Sequence, residues 1–141
     1  MIILFGEMYS KKNSKRMFFK GKRRLILSSK AYIRSVNDFL SQLQETVNID
    51  IWNSMIEQYY KIEDNKNYPL RIHLKFYRRT KRKFDNDNIG GGFQDILVKS
   101  GLIKDDTSMD LNVFFGDHEV DKDTPRCQVS FILEKPLFKL I

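Results

Sequence analysis

The segment that most restricts the fold runs from Pro69 to Tyr77. Leu70, Ile72, Leu74 and Phe76 alternate with Arg71, His73, Lys75 and Tyr77, the period of a strand that buries one face and shows the other to water. Pro69 biases Tyr68 away from helix, so a strand is expected to start there. The alternate positions are expected to form a charged, solvated face, with His73 in water or against a phosphate.

The flanking sequence supplies further strands and helices. Ile2 to Tyr9 is apolar and β-prone, a first strand. Arg16 to Lys20 and Arg23 to Leu27 flank Gly21-Lys22 and predict a hairpin decorated with basic side chains. Ser28 or Ser29 is placed to cap a helix whose apolar positions Tyr32, Val36, Phe39, Leu40 and Leu43 recur at three- and four-residue steps. A second helical stretch, about Ile49 to Tyr60, carries Trp52, Met55, Ile56 and Tyr59 on one side and either continues the first or folds back on it. Glu63 to Asn67 reads as a polar loop. Ile96, Leu97 and Val98 predict a short helix from about Ile89 to Lys99, closed by Gly101. Leu111, Val113 and Phe115 alternate as a strand, Gly116 to Pro125 is a polar turn region, and Cys127 to Leu133 reads as the last strand. The fold class is therefore α+β: a mixed sheet with a basic N-terminal hairpin and packed helices. No repeat or linker divides residues 1–141, and one domain is expected.

Charge is segregated along the chain. The net charge is +7, and no acidic residue lies between Glu7 and Asp38, an interval holding Lys11, Lys12, Lys15, Arg16, Lys20, Lys22, Arg23, Arg24, Lys30 and Arg34. A second basic cluster is Arg78, Arg79, Lys81, Arg82 and Lys83, and most of the acid follows residue 84. Runs without interspersed acid create a field rather than local ion pairs, which fits a polyanionic partner. No apolar run approaches the roughly 18 residues that span a bilayer, and Met1 to Phe5 lacks the features of a signal peptide. A cytoplasmic protein without a membrane partner is expected. Cys127 is the lone cysteine, and His73 and His118 are the only histidines, so a metal here should be held by oxygen.

The residues with chemistry are Asp85-Asn86-Asp87-Asn88, then Asp95, Gly101 and Asp105-Asp106. Two aspartates two residues apart in an extended segment point the same way, and a third carboxylate brought in after the helix would complete a set of oxygen ligands. Such a set favours Mg²⁺ or Mn²⁺, and beside a basic groove it suits phosphoryl chemistry. A calcium loop opening at Asp85 fails, because Ile89 and Ile96 fall where ligands are required. Ordinary turn and cap chemistry accounts for Asn88 as a helix cap, but not for the grouped aspartates.

The ordered set Asp85-x-Asp87-Asn88, Asp95, Gly101, Asp105-Asp106 resembles the pattern of RusA-type Holliday junction resolvases. The likeness extends upstream through the first strand, the basic hairpin and Ser29, Lys30 and Tyr32, and covers nearly the whole chain apart from a longer region around Asn48 to Asn67. The resemblance implies a Mg²⁺-dependent homodimer that binds branched, four-way DNA and nicks two opposing strands. Asp85, Asp87 and Asp106 match the family's metal-binding catalytic aspartates, with Asn88, Asp95 and Asp105 supporting them. Lys15, Arg16, Lys20, Lys22, Arg23, Arg24, Lys30, Arg79, Lys81, Arg82 and Lys83 are the expected DNA contacts. The chain departs from the family at one point: the lysine expected six residues after the first aspartate is replaced by Gly91, within Gly90-Gly91-Gly92. Lys81, Lys83, Lys99 and Lys104 are the lysines near enough in sequence to substitute, and the glycines could alternatively admit a phosphate to backbone N–H groups. A non-catalytic branched-DNA-binding protein of the same fold is the alternative.

Overall fold

A computed structural model describes residues 1–9, 15–21, 23–28, 30–81, 86–104 and 110–134. The side chains of residues 15–18, 20, 23–28 and 86–88 lie outside that description.

The alternating segment forms β4 (Leu70–Arg78), at the centre of a mixed sheet. On one side it pairs antiparallel with β7 (Arg126–Phe131), which pairs antiparallel with the edge strand β1 (Ile2–Phe5). On the other side β5 (Leu111–Phe115) runs parallel to Leu70–Leu74, and the short β6 (Glu119–Val120) continues along the same edge at Tyr77 and Arg78. Side chains of paired residues share a face, so Leu4, Cys127 and Phe76 form one apolar row and Ile2, Val129, Leu74 and Phe115 the next. These rows account for the alternation.

Three helices supply the other layer of the core. α1 (Lys30–Leu43) buries Tyr32, Val36, Phe39 and Leu43, as its spacing predicts. The chain breaks at Gln44 and Glu45, where the Asn48 amide donates to the Gln42 carbonyl (2.7 Å), and a separate helix, α2 (Thr46–Lys61), begins. α2 buries Trp52 and Tyr59, both edge-on to Phe131. α3 (Asn86–Ser100) crosses from β4 to β5, the connection expected between parallel strands. It is longer at its start than Ile89, and Gly101, with φ +80°, closes it. β2 (Lys15–Lys20) and β3 (Arg23–Ser28) form the expected hairpin, with Gly21 at φ +63° in its turn. The cap expected at Ser29 lies outside the described residues; Ser28 ends β3.

The structure corrects several local expectations. Glu63–Asn67 is a 3-10 helix rather than an open loop, because Asn65 turns inward and is buried. The polar turn region between Gly116 and Pro125 contains β6. The last strand ends at Phe131, and Leu133 is partly exposed beyond it. The alternate face of β4 is not a continuous basic surface. Arg71 is 4% exposed and bonds to neutral acceptors, Lys75 pairs with Glu119 (3.2 Å), and His73 is half-buried beside Gly116.

Edge strand β1 is protected where it emerges. The Gln42 side chain accepts from the Phe5 N–H (2.7 Å) and donates to the Phe5 carbonyl (2.8 Å), occupying ladder groups that would otherwise invite another strand.

Candidate nucleic-acid and metal site

The aspartate motif straddles the entry to α3. Asp85, Asp105 and Asp106 lie outside the described residues, as does the Asp87 side chain; the backbone of Asp87 is the second residue of α3. This corrects two expectations: Asp87 is helical rather than extended, and Asn88, third in the helix, is not its cap. The helix starts earlier because Ile89 is needed in the core, where it is 1% exposed, and the preceding turn winds with it. Asp95 lies two turns further on and is half-buried. Among the described residues no three His, Cys, Asp or Glu side chains converge as a metal set.

The three glycines of α3 have different surroundings. A Cβ on Gly90 would stand 2.7 Å from the Phe115 ring, and one on Gly92 would stand 3.1 Å from Met8 Cε. Those positions let α3 close onto β5 and onto the segment beside α1. Among the described residues a Cβ on Gly91 would meet nothing within 4 Å. All three come after the first four helical residues, so their N–H groups donate within the helix rather than to a phosphate. The reading in which the glycines admit a phosphate to the backbone is therefore set aside. Lys99 is also a poor substitute for a lysine beside Asp87, since twelve residues of helix separate them by about 18 Å.

The basic residues take several positions. Lys15, Arg16, Lys20, Arg23 and Arg24 fall on the hairpin strands, and Lys30 is the exposed first residue of α1. Lys22, Arg82 and Lys83 lie outside the described residues. Arg79 and Lys81 are exposed just past β4. Glu7 braces this exit: it accepts from Arg78 Nε (3.1 Å) and from the Arg79 N–H (3.0 Å). The Arg78 and Glu7 side chains are 15% and 11% exposed, so the pair is largely withdrawn from water.

Beside that exit is a cavity of about 680 Å³, lined by Tyr77, Arg78, Thr80, Lys81, His118, Glu119, Val120 and Asp121. Its shape originates in a bulge. Leu74 pairs with Phe115 and Tyr77 with Glu119, so the β5–β6 edge carries one residue more than β4 between those pairs. The Gly116 N–H still donates to the Leu74 carbonyl (2.9 Å), and the extra residue falls between there and Glu119, with the His118 ring set against Phe76 (5.8 Å) and Phe115 (6.1 Å). Burial, then the nearby Arg78 guanidinium, hold His118 below the usual imidazole range against the opposing pull of Asp117. Asp121 accepts from Arg126 (2.7 Å) and from the Thr124 N–H (3.1 Å), and the Arg126 bond is the larger cause of its lowered carboxyl pKa.

The sequence reading missed Arg78, Thr80, His118 and Glu119 as lining residues. Their convergence depends on the β4–β6 register, for which Gly116 was the sole local hint. No protein-family model matches the chain, and no curated protein matches it.

Proposed function

We propose that this protein is a metal-dependent, structure-selective endodeoxyribonuclease of the RusA kind, acting on four-way DNA junctions in recombination and repair as a homodimer. The observation that carries the reading is the position of the motif in the chain order: Asp87 falls in the first turn of the helix that follows the central strand, six residues of sequence after Lys81 and eight after Arg79, both exposed past the end of β4. Asp85, Asp87 and Asp106 would hold Mg²⁺ or Mn²⁺, a donor set of carboxylate oxygens suited to hard cations. When bound, such an ion supplies charge stabilisation and activates water for phosphodiester hydrolysis. Asn88, Asp95 and Asp105 would support those ligands. The chain's own contribution is positioning: Glu7 fixes the 78–79 backbone, and the close approach of Gly90 to Phe115 fixes the α3 turn above β5. The basic hairpin and Lys30, Arg79, Lys81, Arg82 and Lys83 would neutralise the DNA backbone. A two-fold dimer would present one site to each of two equivalent strands.

A second reading is favoured by Gly91, whose exposed position carries no lysine: a branched-DNA-binding protein without turnover. Purified protein incubated with a synthetic four-way junction and Mg²⁺ or Mn²⁺, with linear duplex as control, separates the two. Paired nicks in the junction support the nuclease; tight junction binding without nicks under either metal supports the second reading; equal affinity for duplex and junction removes both.

A further inference from the structure

A smaller cavity, of about 250 Å³, lies between the end of β1, the first part of α1 and the exit of β4. Its walls are fastened to the same three residues. α1 is held by the two hydrogen bonds between the Gln42 side chain and the Phe5 backbone, and the exit of β4 by the Glu7 carboxylate on Arg78 Nε and the Arg79 N–H. Between those anchors Gly6, at φ +123°, turns the chain out of β1 through a conformation that side chains rarely adopt.

Two cations from separate elements line this cavity, Arg34 of α1 and Arg79 past β4, and both are exposed. Among the described residues no hydrogen bond, ion pair or ring contact engages either guanidinium. The neighbouring polar groups are engaged elsewhere: both Glu7 oxygens accept the bonds just given, and the Ser35 hydroxyl donates to the Tyr32 carbonyl (2.8 Å). Asp38, one turn beyond Arg34, is exposed and forms no ion pair among the described residues. Two guanidiniums therefore stand against one carboxylate. Their planar forks of donors match the oxygens of a phosphate. The volume falls below the roughly 300 Å³ at which sites begin to enclose a whole small molecule, and Tyr9 and Ala31 are exposed at the same opening. Such a cleft suits one phosphate of a chain that continues past it.

We propose that Arg34 and Arg79 together hold one phosphodiester of the DNA backbone in this cavity, with Gln42 and Glu7 fixing the walls that carry them. The proposal rests on the nucleic-acid reading above and deepens it: Arg34 joins the DNA contacts, and the two arginines act as one site.

Counterion release counts neutralised phosphates, at about 0.9 in the log–log salt slope for each in duplex DNA, so it distinguishes one shared phosphate from two. The measurement is affinity for a fluorescent four-way junction across a KCl series in EDTA, where no cleavage intervenes. Arg34→Gln and Arg79→Gln should each weaken binding with little change of slope, since the remaining guanidinium still neutralises the phosphate. The double variant should flatten the slope by about 0.9 and weaken binding about tenfold, the low end for charge-assisted hydrogen bonds. Asp38→Asn should tighten binding, and Ala31→Glu should weaken it with both arginines in place. Lys61→Gln with Lys66→Gln removes the same charge from α2 and the 3-10 turn and should leave the slope near wild type. All these positions are exposed, so melting temperatures should hold.

A double variant with the wild-type slope overturns the proposal. So does a flattening of about 1.8 built from two independent losses, which would mean two separate phosphates. Equal flattening in the lysine control would reveal a diffuse field and overturn it as well. If inorganic phosphate raises the melting temperature of wild type but not of the double variant, while both bind the junction equally, the cavity takes a free anion and the proposal fails. Wild type without salt-dependent junction affinity sinks the nucleic-acid reading and this site with it, whereas a normal wild type beside an unaffected double variant sinks this site alone.

Discussion

The two ends of β4 each carry an arginine, and their surroundings differ. Arg71 is 4% exposed and among the described residues has no carboxylate partner; it donates to Asn65 Oδ1 (2.8 Å) and to the carbonyls of Leu133 (3.1 Å) and Ile132 (3.3 Å). The rings of Tyr59 and Tyr68 lie 5.3 and 6.0 Å from its guanidinium carbon. Asn65 is in turn spent on Tyr59 and Leu133 carbonyls (2.8 and 2.7 Å). Burial of the cation is tolerable because these neutral acceptors are aimed at it. Seven residues on, Arg78 is paired with Glu7 and borders an open cavity with Thr80, Lys81 and Glu119. One end is sealed by a closed polar network that joins α2, the 3-10 turn and the end of β7; the other keeps polar groups facing outward. The contrast teaches that a basic residue in an alternating strand is not by itself evidence of a nucleic-acid surface.

The comparison is sharpened first at the open end. Asp85→Asn, Asp87→Asn and Asp106→Asn should each lower single-turnover cleavage of a four-way junction by about a thousandfold, at the upper end of the loss from removing one preorganised charge-stabilising group. Junction affinity should hold or tighten, and the melting temperature should stay near wild type. A variant that cleaves at the wild-type rate removes that aspartate from the metal set.

The sealed end should respond in the opposite way. Arg71→Met leaves Asn65 Oδ1 and two carbonyls without their donor and should cost about 3 kcal/mol of stability in urea denaturation, as expected when charged hydrogen bonds are lost in the interior. Cleavage per folded molecule should be unchanged. A loss of activity larger than the loss of folded protein would break the division between the two ends.

Gly91 and Gly90 form the next contrast. Gly91→Lys enters open space on a helix and should stabilise by up to about 1 kcal/mol, because glycine is a poor helical residue. If turnover is limited by the missing lysine, the same change raises the single-turnover rate; if Lys81, Lys83 or Lys104 fills the role, the rate is unchanged and alanine at that lysine lowers it. Gly90→Ala must push into Phe115 and should destabilise where Gly91→Ala does not. Thermal melts of the three variants, read beside their single-turnover rates, test both statements.

The smallest effect concerns pH. His118 titrates lower in the folded protein than the ordinary imidazole value of 6.5, through burial and Arg78. The unfolded chain therefore binds more protons in the interval below that value, and stability falls as pH drops from 6.5 towards the folded pKa. The contribution is fully present above 6.5. The depressed carboxyl of Asp121 acts in a separate window, below its ordinary value of 3.8. His118→Gln should flatten the dependence of melting temperature on pH between 7 and 5 relative to wild type. An equal slope in both proteins would remove His118 as its source.

Local periodicity alone determined much of this protein. The alternation of Leu70 to Phe76, the three- and four-residue spacing from Tyr32 to Leu43, and Gly21 and Gly101 at their turns were all readable, because each expresses the geometry of neighbours in sequence. Of the ordered aspartates, Asp87 and Asp95 fall within α3. Other features needed residues far apart to meet. Arg71 looked solvated until the carbonyls at 132 and 133, sixty residues away in sequence, closed around it. Gly90, Gly91 and Gly92 looked alike until Phe115 and Met8 were set against two of them and, among the described residues, nothing against the third. The cavity of Arg78, His118 and Glu119 exists only because one extra residue bulges from the β5–β6 edge. Sequence spacing carries the period of an element, while register between elements is set by long-range pairing and packing, and it is register that decides which polar groups are sealed and which face a ligand.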